Sequence, residues 1–220
     1  MTVLYLSLAV GAGAMLLAML LANRNYHHRV WKLAVIAVLG AVCGVYATKL
    51  MYLIENGQWS GLSWYGGVFF TPFAIMLIAL IIKMPVSDAL DLFAPAECAM
   101  LVLQKVRCRI EGRCGGIRLY DSRTLTIHFP SQIVEMATAA VLAVILIRFL
   151  GDPRKRGALY GWYMFLYGIC RFILQWFREG ATAVVWIFSM GHIWSVVSIC
   201  IGAAVIYRRS RKDMASNVQE

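Results

Sequence analysis

Seven stretches of about twenty apolar residues alternate with short polar connections along the chain. An α-helix needs about 20 such residues to cross the hydrocarbon core of a bilayer. The pattern predicts seven transmembrane helices, near residues 2–22, 33–54, 64–82, 87–104, 131–150, 158–177 and 184–207. We therefore expect an all-α polytopic membrane protein, with a single seven-helix domain over 1–207 and a basic tail over 208–220.

The overall composition agrees with this prediction and excludes most soluble classes. Of the 220 residues, 61% are hydrophobic and 15% are charged, and the mean hydropathy is +0.71. A chain this apolar is typical of polytopic membrane proteins. The formal charge of +10 does not indicate nucleic-acid binding, because most cations lie at the ends of predicted spans. No Lys or Arg precedes the first apolar stretch, so we expect a retained first helix and not a cleaved signal peptide.

The positions of lysine and arginine predict which connections face the cytoplasm. Four alternating connections carry Lys or Arg, residues that gather on the cytoplasmic side of membrane proteins. They are 23–32, 83–86, 148–157 and the C-terminal tail. The opposing set includes 55–63, which has no cation, and 178–183, which has only Arg178. We therefore expect the N-terminus outside and the C-terminus in the cytoplasm.

One connection on the predicted outer side departs from this rule. Residues 105–130 carry six cations, namely Lys105, Arg107, Arg109, Arg113, Arg118 and Arg123. An anionic lipid headgroup is the simplest ligand for such a cluster. A second interpretation stays open, because the fourth span contains acids and is interrupted by Pro95. A re-entrant fourth segment would return the basic connection to the cytoplasm.

The sixth span places polar residues on one stripe. Their three- and four-residue intervals fit one face of a helix, and the members are Tyr160, Tyr163, Tyr167, Arg171, Gln175 and Arg178. A charged group at this depth needs a partner or a ligand. Arg171 either pairs with Glu135 or Glu97 of a neighbouring helix, or binds a phosphate while the tyrosines line a lipid-sized cavity.

The fifth span begins with residues suited to binding an anion. Pro130 fits the first turn of a helix, and Ser131, Gln132 and Glu135 follow it. The N-terminus of a helix offers unpaired amides to an anion. His128, just before this turn, is either a base in catalysis or a solvated side chain.

Two further motifs admit a structural explanation. Residues 61–67 form an aromatic turn whose Gly66-Gly67 pair lets another backbone or a ligand approach closely. Small polar residues recur at three-residue spacing in the seventh span, where we expect them to pack. These are Ser189, His192 and Ser195.

Five segments, in this order and spacing, resemble the bacterial prolipoprotein diacylglyceryl transferase family. They are 61–67, 91–95 with 104–116, 130–135, 167–179 and 189–191. The resemblance implies seven spans in the bacterial plasma membrane. It also implies an enzyme that moves diacylglycerol from phosphatidylglycerol to a cysteine thiol of a lipoprotein precursor, which it recognises by the signal peptide. No cofactor and no metal are expected.

The resemblance also implies site residues. An acceptor thiolate attacks the glyceryl carbon, and cations stabilise the departing glycerol phosphate. The catalytic candidates are Tyr65, Lys105, Arg171 and His128. The substrate-binding candidates are Tyr167, Arg107, Arg113, Gly116, Gln132, Glu135 and Arg178.

The chain departs from the family pattern at the positions expected to move protons. Tyr65 stands where many members have histidine, and Phe129 replaces the histidine before proline, although His128 is adjacent. Lys105 stands in place of an arginine, which keeps the charge but loses bidentate geometry. These changes leave an alternative open, in which the protein is a catalytically impaired paralogue that binds lipid or serves as an accessory membrane protein. A transporter or channel is disfavoured because the chain has no inverted repeat.

Overall fold

The computed structural model describes residues 2–59, 61–112, 115–122, 125–178, 183–185 and 187–217. In these ranges the chain forms seven α-helices and two small antiparallel strand pairs. The helices are α1 (Thr2–Ala22), α2 (Val30–Asn56), α3 (Trp64–Ile81), α4 (Val86–Ile110), α5 (Ser131–Phe149), α6 (Leu159–Gln175) and α7 (Met190–Asn217). The strands are β1 (Arg118–Ser122), β2 (Leu125–His128), β3 (Ala183–Val185) and β4 (Phe188–Ser189). Short 3-10 turns at Asn23–Asn25 and Pro153–Lys155 precede α2 and α6.

Each of the seven predicted apolar stretches contains a helix, so the all-α prediction is confirmed. The predicted start of the seventh span at residue 184 is wrong, because β3 and β4 occupy this part of the chain and α7 begins at Met190. Four described segments are long and apolar enough to cross a membrane, judged by length and composition. These are Val30–Asn56, Trp64–Ile81, Ser131–Phe149 and Met190–Lys212. α7 continues to Asn217, so the first part of the predicted tail prolongs the last helix.

The course of α4 differs from the prediction. The helix runs from Val86 to Ile110 and passes through Pro95 without a break, so the predicted interruption of the fourth span is wrong. Gln, Lys and Arg are good helix formers, and cations near a helix C-terminus interact favourably with its dipole. Lys105 and Arg107 consequently lie on the last turns of α4 and not in a connection.

Between α4 and α5 the chain forms a hairpin that the helical pattern does not predict. β1 pairs with β2 in antiparallel register. The stretch before β1 is tied to the end of α6, where Gly116 bridges to Arg178 and the Ile117 N–H donates to the Phe177 carbonyl at 3.1 Å. A Cβ at Gly116 would overlap the Phe129 carbonyl, so this close approach requires glycine. The connection is held at the end of the bundle where α6 ends.

α4 occupies the centre of the bundle. It packs against α1, α3, α5 and α6, and α7 packs along α6. Phe93 of α4 is fully buried, whereas Phe73 and Ile81 of α3 are 68% and 71% exposed. A buried apolar core combined with exposed apolar outer faces fits a surface that contacts lipid.

The Gly66-Gly67 pair allows close packing of α3 against two neighbours. A Cβ at Gly66 would overlap the backbone of Ala47 in α2, and a Cβ at Gly67 would lie 2.9 Å from Glu97 Oε1 in α4. The close approach expected from the sequence is therefore made by protein groups.

A buried carboxylate of α4 ties the connection between α1 and α2 to the start of α6, at the end of the bundle where α6 begins. Asp91 accepts a hydrogen bond of 2.6 Å from the Tyr26 hydroxyl and one of 2.9 Å from the Leu159 N–H, and it also accepts from the Gly157 N–H. Burial and the bond to Asp91 raise the pKa of Tyr26 well above its usual range. This network fixes where α6 begins along the axis of the bundle, and it therefore also fixes the position of the polar stripe on that helix.

Candidate functional site

Two buried cations, from two different helices, pair with one buried carboxylate from a third helix. Glu135 Oε2 of α5 is 2.5 Å from Lys105 Nζ of α4. Glu135 Oε1 is 2.8 Å from Arg171 Nη1 of α6. All three residues are between 5% and 7% exposed. Because charges this buried require partners, the carboxylate holds both cations in place and leaves one net positive charge. We call these three residues the charged cluster.

The helix ends explain why the three residues meet. Lys105 lies on the last turns of α4, Glu135 lies near the start of α5, and Arg171 lies one turn before the end of α6. Of the two carboxylates that the sequence offered to Arg171, the structure selects Glu135. Glu97 instead accepts a hydrogen bond of 2.8 Å from Tyr160. Lys105 and Arg171 are thus brought together, as expected, with a carboxylate between them.

The tyrosines of the α6 stripe are buried as the spacing predicts, but they pack against one another. The ring centroids of Tyr160 and Tyr163 are 5.4 Å apart, and those of Tyr163 and Tyr167 are 5.6 Å apart. Beside them, a narrow cleft between α4, α5 and α6 is lined by Tyr167, Arg171 and Glu135, with a volume of about 10 Å³. This is room for about one water molecule, so this cleft, as the described residues line it, is far smaller than the lipid-sized cavity expected from the sequence.

Tyr65 of α3 also lies close to Arg171. It is 4% exposed, and its hydroxyl lies 2.6 Å from Ser195 Oγ and donates to the Gly191 carbonyl at 3.0 Å. Its ring centroid is 6.3 Å from that of Tyr167, and its hydroxyl interacts with the Arg171 side chain. The Tyr65 hydroxyl is therefore next to the cation that a substrate phosphate would meet.

A polar chain that the sequence analysis assigned to packing leads away from the stripe. Gln175 Nε2 donates to Ser189 Oγ at 3.0 Å, and Ser189 Oγ lies 3.0 Å from His192 Nδ1. The Ser189 N–H also donates to His192 Nδ1 at 3.1 Å, so the neutral ring carries its proton on Nε2. The spacing of these residues was visible in the sequence, but their link to Gln175 depends on how α7 packs against α6.

Three buried atoms of this region lack a hydrogen-bond partner within the described part of the chain. They are Arg171 Nε, Gln175 Oε1 and His192 Nε2. A buried polar atom without a partner is costly. Arg171 Nε is a donor on a side chain that lines the cleft, so an anion placed there would satisfy it.

Two predicted site residues lie at the surface. Arg107 Nε pairs with Glu111 at 2.6 Å one turn along α4, in an exposed ion pair. His128 is exposed, and its Nδ1 lies 3.2 Å from the Gly116 carbonyl. Neither contact involves the charged cluster.

The remaining predicted residues are divided between the helix start and the connection. Gln132 is 6% exposed, in the first turn of α5. Gly116 and Arg178 form the bridge described above, and Arg113 lies outside the described residues.

Comparison with known proteins agrees with the motif analysis. A sequence model described as prolipoprotein diacylglyceryl transferase matches residues 3–208. The phosphatidylglycerol–prolipoprotein diacylglyceryl transferase of Hydrogenovibrio crunogenus is 27% identical over 169 residues, which cover 69% of this chain and 64% of that protein. The protein of the same name from Pasteurella multocida is 30% identical over 158 residues, or 66% of this chain and 58% of that protein. The match to the Salmonella choleraesuis protein is 35% identical over 99 residues, or 41% and 34%. The chain therefore spans less than two thirds of the length of these relatives.

Proposed function

The chain belongs to the prolipoprotein diacylglyceryl transferase family, and from this premise we propose that it transfers diacylglycerol. The donor is an anionic phospholipid, phosphatidylglycerol, and the acceptor is the cysteine thiol of a lipoprotein precursor carrying its signal peptide. The names of the relatives support this choice of substrates. The observation that carries the proposal is the convergence of Lys105 and Arg171 on one buried point beside Tyr65.

The proposed membrane arrangement places this point in the outer leaflet. All seven helices of a single domain over 1–207 span the bacterial plasma membrane, with the N-terminus outside and the basic tail over 208–220 in the cytoplasm. The distribution of cations among the connections supports this orientation. The charged cluster lies at the end where α6 terminates, on the outer side.

In the proposed reaction the thiolate of the acceptor attacks the glyceryl carbon that carries the phosphate ester. The S–C bond forms, the C–O bond breaks, and glycerol phosphate leaves with the electron pair. Arg171 and Lys105 stabilise the charge that collects on the leaving phosphate. Arg171 Nε, which has no partner among the described residues, supplies a donor beyond the one that Glu135 already uses.

The thiol proton needs an acceptor close to the phosphate. Of Tyr65 and His128, we propose Tyr65 as a relay, because its hydroxyl is next to Arg171 whereas His128 is exposed and contacts the Gly116 carbonyl. The neutral Tyr65 hydroxyl takes up the thiol proton as it passes its own proton to the departing glycerol phosphate, which is the final acceptor. Ser195 Oγ, 2.6 Å from the Tyr65 hydroxyl, extends the hydrogen-bonded chain.

The other candidate residues have proposed roles in binding. Tyr167 and Glu135 line the cleft, and Gln132 lies in the first turn of α5, whose amides suit a headgroup. We propose that Gly116, Arg178 and Arg107 form the polar edge of the site at the outer surface. For Arg113, which is not among the described residues, we propose only that it binds the anionic headgroup.

One observation favours the alternative of an impaired, lipid-binding paralogue. The cleft has room for about one water, and Tyr65 is hydrogen-bonded within the packed core. Turnover therefore requires helices or side chains to separate, and a protein that has lost the reaction would have no need to do so.

Thioether formation by the purified protein tests the proposal. Phosphatidylglycerol and a peptide containing the acceptor cysteine are supplied, and the product is measured by mass spectrometry. We expect Arg171→Gln to lower the rate at least about 100-fold, the order found when one donor to developing charge is removed. Arg148→Gln serves as the matched control, because Arg148 is exposed in the last turn of α5, at the opposite end of that helix from Glu135. Absence of product with phosphatidylglycerol and with other anionic phospholipids would reject the transferase. Turnover in the wild type that Tyr65→Phe abolishes would reject the impaired paralogue.

A further inference from the structure

A groove lies at the opposite end of α6 from the charged cluster, between the start of α6 and the end of α7. Its walls carry three cations: Arg154 and Lys155 from the turn before α6, and Arg209 from α7. Its apolar part is formed by Trp162 and Ile206. The volume is about 460 Å³, which falls in the range of small-molecule sites. We call this feature the basic groove.

The basic groove is separate from the charged cluster. An α-helix rises about 1.5 Å per residue, so twelve residues from Leu159 to Arg171 span about 18 Å along α6. This is more than half of the roughly 30 Å thickness of a hydrocarbon core. A lipid in the groove and a lipid at the charged cluster therefore belong to opposite leaflets.

The end of the bundle that holds the groove is rich in cations. Lys155 Nζ lies 3.7 Å from the Asp152 carboxylate and 3.6 Å from the centre of the Phe149 ring. The Lys155–Asp152 pair is partly exposed, with side chains 32% and 41% accessible, and such pairs are weak. In the sequence Arg208, Arg211 and Lys212 add positive charge on the turns of α7 that carry Arg209, against the single acid Asp213.

The turn before α6 lies next to one of the groove cations. Gly157 has a positive φ of 81°, a backbone conformation that favours glycine. A Cβ there would lie 3.6 Å from Arg209 Cζ, an ordinary contact distance, so this turn packs beside the Arg209 side chain. Trp162, partly buried on the first turns of α6, presents an aromatic ring at the level where membrane proteins place tryptophan.

We propose that the basic groove binds an anionic phospholipid of the leaflet opposite the charged cluster. The lipid phosphate contacts Arg154, Lys155 and Arg209, and an acyl chain lies along Trp162 and Ile206. Only a ligand with an anionic head and a hydrocarbon tail satisfies both parts of the groove, and basic pockets between membrane helices bind such lipids. The inference requires that α6 and α7 lie in a membrane, but it does not require the transferase reaction.

Lipid binding by the full-length protein in detergent tests this assignment. Native mass spectrometry is used to titrate phosphatidylglycerol, phosphatidylcholine with the same acyl chains, and glycerol phosphate. We compare the groove variant Arg154→Gln/Lys155→Gln/Arg209→Gln with the control Arg208→Gln/Arg211→Gln/Lys212→Gln, which removes as many cations from the same end of the molecule. We expect phosphatidylglycerol affinity to fall at least about tenfold in the groove variant, because its three cations line the groove and would contact the phosphate. In the control we expect a fall of less than about threefold, because its cations do not line the groove and contribute only through the screened surface potential.

Three results would overturn the assignment. An equal loss in both triple variants would mean diffuse surface electrostatics. Equal binding of phosphatidylcholine would mean an apolar groove without headgroup recognition, and equal binding of glycerol phosphate would mean a simple anion site.

If the groove variant does not fold, Arg154→Gln alone is used, because Arg154 is exposed and its replacement is expected to lower affinity severalfold. If the wild-type protein forms no thioether but still binds phosphatidylglycerol in a way that depends on the groove cations, the proposed function is rejected and the groove assignment is not.

Discussion

Replacing Glu135 by glutamine isolates the central feature of the site. The substitution keeps the size of the side chain but leaves Lys105 and Arg171, both within 2.8 Å of the same carboxylate, facing each other without a counter-charge. Breaking a buried ion pair by removing one partner costs about 3–5 kcal/mol. For a chain of more than 200 residues each kcal/mol shifts the unfolding midpoint by about 2–4 °C, so we expect a drop of about 6–20 °C.

The assay is thermal unfolding of the purified protein in one detergent at a fixed scan rate, because unfolding of such proteins is often irreversible. The double variant Glu135→Gln/Lys105→Met removes one of the two cations, and we expect it to recover part of the lost stability. Saturating phosphatidylglycerol should raise the midpoint of Glu135→Gln more than that of the wild type, because the lipid phosphate then supplies the missing negative charge.

The exposed Arg107–Glu111 pair provides the control for this experiment. Glu111→Gln removes an ion pair of similar length, 2.6 Å, from the surface of α4, and such pairs contribute about 0–1 kcal/mol. Equal midpoints for the Glu135→Gln and Glu111→Gln variants would refute the reasoning, since they would show that Glu135 does not compensate buried cations.

Two further predictions concern the contacts that position the site, and both are measured as unfolding midpoints. Asp91→Asn removes the charge that accepts from Tyr26 and two backbone N–H groups, and we expect a loss of about 3 kcal/mol against about 1 kcal/mol for Tyr26→Phe; equal effects would contradict the special role of the carboxylate. Gly66→Ala forces a Cβ onto the backbone of Ala47 and should cost about 1–3 kcal/mol or more. Gly13→Ala, with nothing within 4 Å of the added Cβ, should be neutral or stabilising, because alanine favours a helix more than glycine does. A similar loss in both variants would contradict the assignment of the Gly66→Ala loss to the contact with Ala47.

The sequence by itself determined the helices and the face of α6 that is buried. The length of an apolar stretch predicts each helix, because nearly every residue of a helix that is buried in a bilayer or in a packed core must be apolar. The three- and four-residue spacing of Tyr160, Tyr163, Tyr167 and Arg171 predicts a single stripe for the same local reason, and those side chains are buried together in the structure.

Only the tertiary structure decided what these residues contact. Arg171 pairs with Glu135 and not with Glu97 because of how far α5 is shifted along its axis relative to α6. This shift cannot be predicted from the spacing of residues within either helix. The continuation of α4 through Pro95 brings Lys105 into the core, and the strand pairs arise from contacts between distant connections. Side-chain partners across helices are set by packing geometry, a non-local property, whereas helix formation is governed by residues a few positions apart.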